Sequence, residues 1–179
     1  GNVVNPDDFV GTLGADSVRA FLMFIGPWEL GGSWSSTGIE GIHRFINRLW
    51  ALILEPHDAS KGAPSTAEIA ELRRQTHKTI KTVTEDIEAF AFNTALAALM
   101  KFNNMLVKAK DSNLYGTPAW DETMRALVLL IAPLMPHVAE ELWMRLGGAY
   151  SVHTQVWPHY DAALAADVVV TLVVQVNGK

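Results

Sequence analysis

Between Gly38 and Trp50 the chain reads GIEGIHRFINRLW, a spacing that fits a helix with one buried side and little else. At about 100° per residue, Ile39, Ile42, Ile46, Leu49, Trp50 and Ile53 share one side, while Arg44 and Arg48 stand one turn apart on the other. Ile69, Leu72, Thr76, Ile80, Val83 and Ile87 hold a second stripe, with Glu71, Arg74, Lys78 and Lys81 opposite. A third periodic segment, Phe90 to Val107, gathers Phe92, Leu96, Leu99, Met100, Asn103 and Val107, with Lys101 and Lys108 behind. The phase changes between Ile87 and Phe92, which predicts a break close to Glu88. Stripes of this kind are buried against one another, so the expected fold is all-α, a bundle of about four or five long helices.

The punctuation between the stripes agrees. Asn5-Pro6-Asp7-Asp8 combines a cap, Pro at N1 and first-turn acids. Asp16 to Ile25 reads as a helix stopped by Gly26-Pro27, and Leu30 to Gly38 as a loop carrying Trp34. The long helix is expected from about Ser36 to Leu54, ended by Pro56. A polar linker, Ser60 to Pro64, leads to Ser65, which with Glu68 makes a capping box. Thr117 and Pro118 start another helix, and Pro133 interrupts it. Pro136 restarts the helix through Leu146, closed by Gly147-Gly148. Ala149 to Ala166 reads as loop around Trp157-Pro158.

The 179 residues suit one domain, or one domain with an appendage; 49% are apolar and six are Trp, which favours folding over disorder. No apolar run approaches the ~18 residues of a membrane span. There is no Cys, so disulfide frameworks and thiolate sites are excluded, in keeping with a reducing cytoplasm. A formal net charge of −5 argues against a generic nucleic-acid coat; any RNA contact must come from a local basic face. The chain opens on Gly1-Asn2 without the regions of a secretory signal. It closes with Val168 to Val176, a strand-like run, then Asn177-Gly178, a hairpin signal whose second strand is missing. The expectation is a piece cut from a longer protein. The orphan strand then either pairs with a neighbouring copy through residues 168–176 or lies against the bundle, and pairing is the favoured outcome.

These segments together resemble the class I leucyl-tRNA synthetases. The resemblance is carried by GNVVNPDDFV, GADSVRAFLMFIGPWE and Trp34-Ser35 ahead of GIEGIHRFINRLW, and by KTIKTVTEDIEAFAFNTALAALM (Lys78 to Met100). LLIAPLMPHVAEELW (Leu129 to Trp143), Trp157-Pro158 and VQVNGK complete it. GIEG followed by RF is the leucyl feature, whereas APLMPHVAEELW is shared with the valyl and isoleucyl enzymes. The resemblance implies the anticodon-binding helical bundle of a class I aminoacyl-tRNA synthetase with a short C-terminal β segment. Residues 1–34 would be the connector after the KMSKS loop, 35–150 the helical domain, and 151–179 the lead into a further domain. It implies a cytoplasmic, monomeric parent enzyme that ligates leucine to tRNA(Leu) with ATP and Mg²⁺. Gly1 and Asn2 would be the remnant of the ATP-site loop, and the piece alone would hold no cofactor, no metal and no catalytic residue. Arg44 and Arg48, with Lys78, Lys81, Lys101 and Lys108 as weaker candidates, would meet tRNA phosphates without reading bases. The competing reading of those residues is a solvated basic face. The isolated piece is expected to bind tRNA with a Kd no better than roughly 10⁻⁵ M.

Other chemistry finds little support. His137 with Glu140 and Glu141 has a spacing that metal ligands use, but no further His or Cys stands nearby, and acids there suit the helix dipole. His43, His57, His77, His153 and His159 are scattered and read as surface or capping residues. Asn93, Asn103 and Asn104 are expected to make interhelical hydrogen bonds. A stand-alone helical protein-interaction module is the alternative from a different class. A metal-carrying four-helix bundle ranks last, for want of inward Glu-x-x-His pairs.

Overall fold

Asn5 accepts the Asp7 backbone N–H on its side-chain oxygen at 3.1 Å, and with Pro6 in first place this starts α1 (Pro6–Leu13). Gly14, at φ 85, makes the turn that a side chain resists, and α2 (Ala15–Phe24) follows. The computed structural model describes residues 4–56, 62–110 and 112–166. Ser35 caps α3 (Ser36–Leu54) by accepting from the Gly38 N–H at 3.0 Å. A Cβ on Gly38 would stand 2.7 Å from the Phe21 ring, so glycine is what lets α2 lie so close to α3. Trp34, in the loop between them, packs at a tilt against Phe9 at 4.5 Å and edge-on to Phe21 at 5.0 Å.

The predicted capping box starts α4 (Thr66–Glu88): Ser65 N–H donates to Glu68 Oε2 at 2.8 Å, and Glu68 N–H to Ser65 Oγ at 3.2 Å. The bond from the Ser65 backbone, then the one from its hydroxyl, lowers the Glu68 pKa. α4 stops at Glu88, and α5 (Phe92–Lys110) begins after Phe90, which sits at φ 58. The break falls where the stripe changes phase. Thr117 caps α6 (Pro118–Ile131), and α7 (Pro136–Arg145) ends before Gly147 at φ 73. α4 packs most extensively on α5, then equally on α6 and on residues 162–165, while α2 and α3 also pack on α5. Phe45, Leu49, Leu96, Leu99, Leu127 and Leu130 are fully buried in the shared core. Each such side chain contributes about 1.5–3 kcal/mol relative to exposure.

Several charges are built into this frame. Met135, at the N-cap of α7, makes no side-chain bond to the helix. Asp16 on α2 does so instead, its carboxylate accepting from Val138 N–H at 2.7 Å and facing His137 Nδ1 at 2.8 Å. One turn along α2, Arg19 donates to the Pro133 carbonyl at 2.9 Å, just past the end of α6. Anion at a helix start and cation at a helix end both match the helix dipoles. Lys110 is buried and donates to Ala51 O at 3.0 Å and Glu55 O at 2.6 Å, closing the C-terminal end of α3.

Four readings change. Phe45 and Leu52 join the buried side of α3, while Trp50 and Ile53 are half-buried at its edge. On α5 the buried centre is Leu96, Leu99, Phe102 and Leu106; Val107 is exposed. The expected interhelical hydrogen bonds fail at Asn103, which is fully buried with neither side-chain polar atom paired, and Asn104 is exposed. The stretch read as loop after Ala149 contains a 3₁₀ turn at Val152–Thr154 and α8 (Ala162–Ala165), capped by Asp161. That stretch is fastened to α4: Trp157 Nε1 donates to Thr84 Oγ1 at 2.8 Å and Asp161 N–H to His77 Nδ1 at 3.0 Å. The expected strand at 168–176 lies outside the described residues, as do Gly1, Asn2 and His57.

Candidate nucleic-acid interface

From Ala89 to Lys110 the chain contains no Asp or Glu, yet it carries Lys101, Lys108 and Lys110. In a chain of net charge −5 this makes α5 an island of positive charge. The apolar stripe of Leu96, Leu99, Phe102 and Leu106 faces the core, which turns Lys101 and Lys108 to solvent. Seven residues apart, they lie on one face, roughly 10 Å apart along the axis. Asn104 stands between them, also exposed.

Two concavities bring these residues together with others. A groove of about 330 Å³ between α4 and α5 is lined by Lys78, Thr79, Thr82 and Gln75 on one side and by Ala98, Lys101, Phe102 and Met105 on the other. A shallower one of about 520 Å³ adjoins it, sharing Lys101 and Met105, and continues past Asn104 to Lys108 with Phe24 of α2 on its wall. No carboxylate lines either. Gln75, Thr82 and Phe24 were not singled out by the sequence reading, and Asn104 was expected there to bond between helices rather than to line a groove. For the polar three a signal exists: Gln75 and Thr82 stand three and four residues from Lys78, and Asn104 three from Lys101, the spacing of one helix face.

The remaining candidates are placed differently. Lys81 lies one turn from Lys78 but turns to Glu85, at 3.6 Å. Arg44 pairs with Glu40 at 3.9 Å. Arg48 is exposed, and among the described residues it, Lys101 and Lys108 form no ion pair. Neither arginine lines the grooves beside α5. The structure therefore brings together Lys78, Lys101 and Lys108, and leaves Arg44 and Arg48 apart on α3.

Acids flank the far end of α4. Hydrogen bonds from Arg74 at 2.7 and 2.8 Å, and from Gln75 at 2.9 Å, lower the Glu71 pKa to about 2. The residues with metal-like spacing go separate ways: His137 faces Asp16, Glu141 pairs with Arg145 at 2.8 Å, and Glu140 accepts from Ser151 Oγ and from Val152 N–H. His43 Nδ1 lies 3.3 Å from Ser17 Oγ, His77 caps the C-terminal stretch, and His153 lies 3.8 Å from Glu140. What the basic face can do chemically is hold an extended polyanion by charge and by neighbouring amide and hydroxyl donors.

A family model described as the anticodon-binding domain of tRNA ligase matches residues 70–179. The chain is 50% identical over 179 residues to the leucine–tRNA ligase of Herpetosiphon aurantiacus, covering 100% of this chain and 22% of that protein. It is 46% identical over 179 residues to the leucine–tRNA ligase of Deinococcus radiodurans, again covering 100% and 22%. The chain thus spans about a fifth of the length of the curated relatives it matches. A LeuRS of Agrobacterium radiobacter, solved as a ternary complex with tRNA and LeuAMS, superposes with a TM-score of 0.76 at 31% identity, over 93% of this chain and 22% of that one.

Proposed function

The chain belongs to the family of anticodon-binding domains of tRNA ligases, and on that footing we propose that it is the tRNA-binding helical part of a leucine–tRNA ligase. The observation that carries this reading is identity spread over the whole chain, 50% across 179 residues with a leucine–tRNA ligase. The parent protein joins leucine to tRNA(Leu) and draws on ATP and Mg²⁺ for activation. The helices contribute binding and no reacting group. In this reading residues 1–34 connect to the catalytic part, 35–150 meet the RNA and 151–179 lead onward, in a monomeric cytoplasmic enzyme. Among the described residues no helix is long and apolar enough to cross a membrane.

Two observations support an RNA partner. The LeuRS neighbour was solved with tRNA bound, and the lysines of α5 stand in concavities lined by no carboxylate. Phosphate contacts of this kind fix position and orientation without reading sequence. The test is amino-acid-dependent ATP–pyrophosphate exchange and tRNA charging by the full-length protein. Leucine is expected to support both. Exchange that follows valine or isoleucine and ignores leucine contradicts the proposal.

A further inference from the structure

The basic residues of the bundle fall into two groups that geometry separates, one on α3 and one on α5. On α3, Arg44 already has Glu40 at 3.9 Å, so half of the pair's charge is balanced locally. On α5, Lys101 and Lys108 have no carboxylate on their helix and none in the walls of the concavities they line. Lys78 faces Lys101 across the groove between α4 and α5. Concave surfaces with apolar walls, here Phe24, Met100, Phe102 and Met105, concentrate the field of the charges they hold. Thr82 and Asn104 line the same concavities and bring hydroxyl and amide groups suited to phosphate oxygens.

We propose that the tRNA backbone runs along α5, with Lys101 and Lys108 on separate phosphates and Lys78 completing the seat between α4 and α5, and that the α3 arginines lie off this path. The assignment rests on the tRNA reading above and narrows it to one face. Lysine suits the task, since its compact charge on a flexible stem neutralises a phosphate without demanding fixed bidentate geometry.

The experiment measures tRNA(Leu) affinity of the full-length ligase against salt concentration for three proteins: the parent, Lys101→Gln with Lys108→Gln, and Arg44→Gln with Arg48→Gln. Each phosphate contact contributes about 0.9 to the slope of log K against log salt in duplex and about 0.7 in single strands. The α5 pair is expected to reduce the slope by about 1.4–1.8 and to weaken binding about tenfold or more near physiological salt. Lys101→Arg with Lys108→Arg, which keeps the charge, should restore the slope, and matched thermal unfolding shows that the glutamine pair is folded. The α3 pair should leave both quantities unchanged. If the α3 pair lowers the slope and the α5 pair does not, the path along α5 is wrong while the tRNA reading stands. If neither pair moves it, the path along α5 is likewise wrong, and leucine-dependent charging decides the tRNA reading separately.

Discussion

At the corner between α6 and α7, Asp16 and Arg19 are fastened to backbone groups and one imidazole, whereas on α5 Lys101 and Lys108 reach solvent from a helix with no acid. Lys110 sharpens the contrast. Nine residues beyond Lys101 on the same helix, it is turned inward onto the carbonyls of Ala51 and Glu55. The formal charge of −5 hides this division. Asp16, Arg19 and Lys110 stabilise helix ends and so serve the fold. Lys101 and Lys108 stay exposed and form no ion pair among the described residues.

The largest effect that would break the contrast is expected at Asp16. Asp16→Ala removes two hydrogen bonds to a buried carboxylate and uncaps α7, a loss of about 3 kcal/mol. In a chain of this size that lowers Tm by roughly 6–12 °C. Calorimetry checks it, and a loss under about 1 kcal/mol would mean the corner is held by packing alone. Lys101→Gln should change stability by no more than about 0.5 kcal/mol, as is typical of exposed positions.

A second, opposite effect is expected at Asn103. Its buried amide has no partner, so Asn103→Leu should stabilise the chain by about 1 kcal/mol, seen as a higher urea midpoint with an unchanged slope. A lower midpoint would show that the amide is bonded after all.

Asn103 also marks the limit of what the amino-acid sequence discloses. Helix starts were legible because they are local: Asn5-Pro6, Ser65 with Glu68, and Thr117-Pro118 each satisfy backbone groups within a few residues. The break at Glu88 was legible because a phase shift in an apolar stripe is a property of one helix. Asp16 on Val138 and Lys110 on Ala51 were not, since they join residues far apart in sequence and no periodicity reports them. The same holds for the candidate interface. Spacing put Lys78, Lys81, Lys101 and Lys108 on polar sides, but which of them share a groove depends on how α4 meets α5. Arg44 and Arg48 keep their one-turn spacing on α3 and line neither groove beside α5.

The smallest effect concerns acid. Arg74 and Gln75 hold the Glu71 pKa at about 2, below the ordinary glutamate value of 4.5, so its share of stability is complete above about pH 4.5. That share is lost as pH falls toward 2. The Glu71 side chain is 55% exposed, and screening keeps the share under about 0.5 kcal/mol. Glu71→Gln should slightly flatten the decline of stability between those two pH values, and a steeper decline would reverse the assignment.

The central claim, that α5 presents the charges the fold leaves unused, is tested most directly by lysine acylation read by mass spectrometry on the full-length protein, with and without tRNA(Leu). Lys101 and Lys108 should react readily in the free protein and severalfold more slowly in the complex. Lys81, paired with Glu85, should react alike in both, and buried Lys110 should react in neither. Equal labelling of Lys101 and Lys108 in the two states would contradict the account.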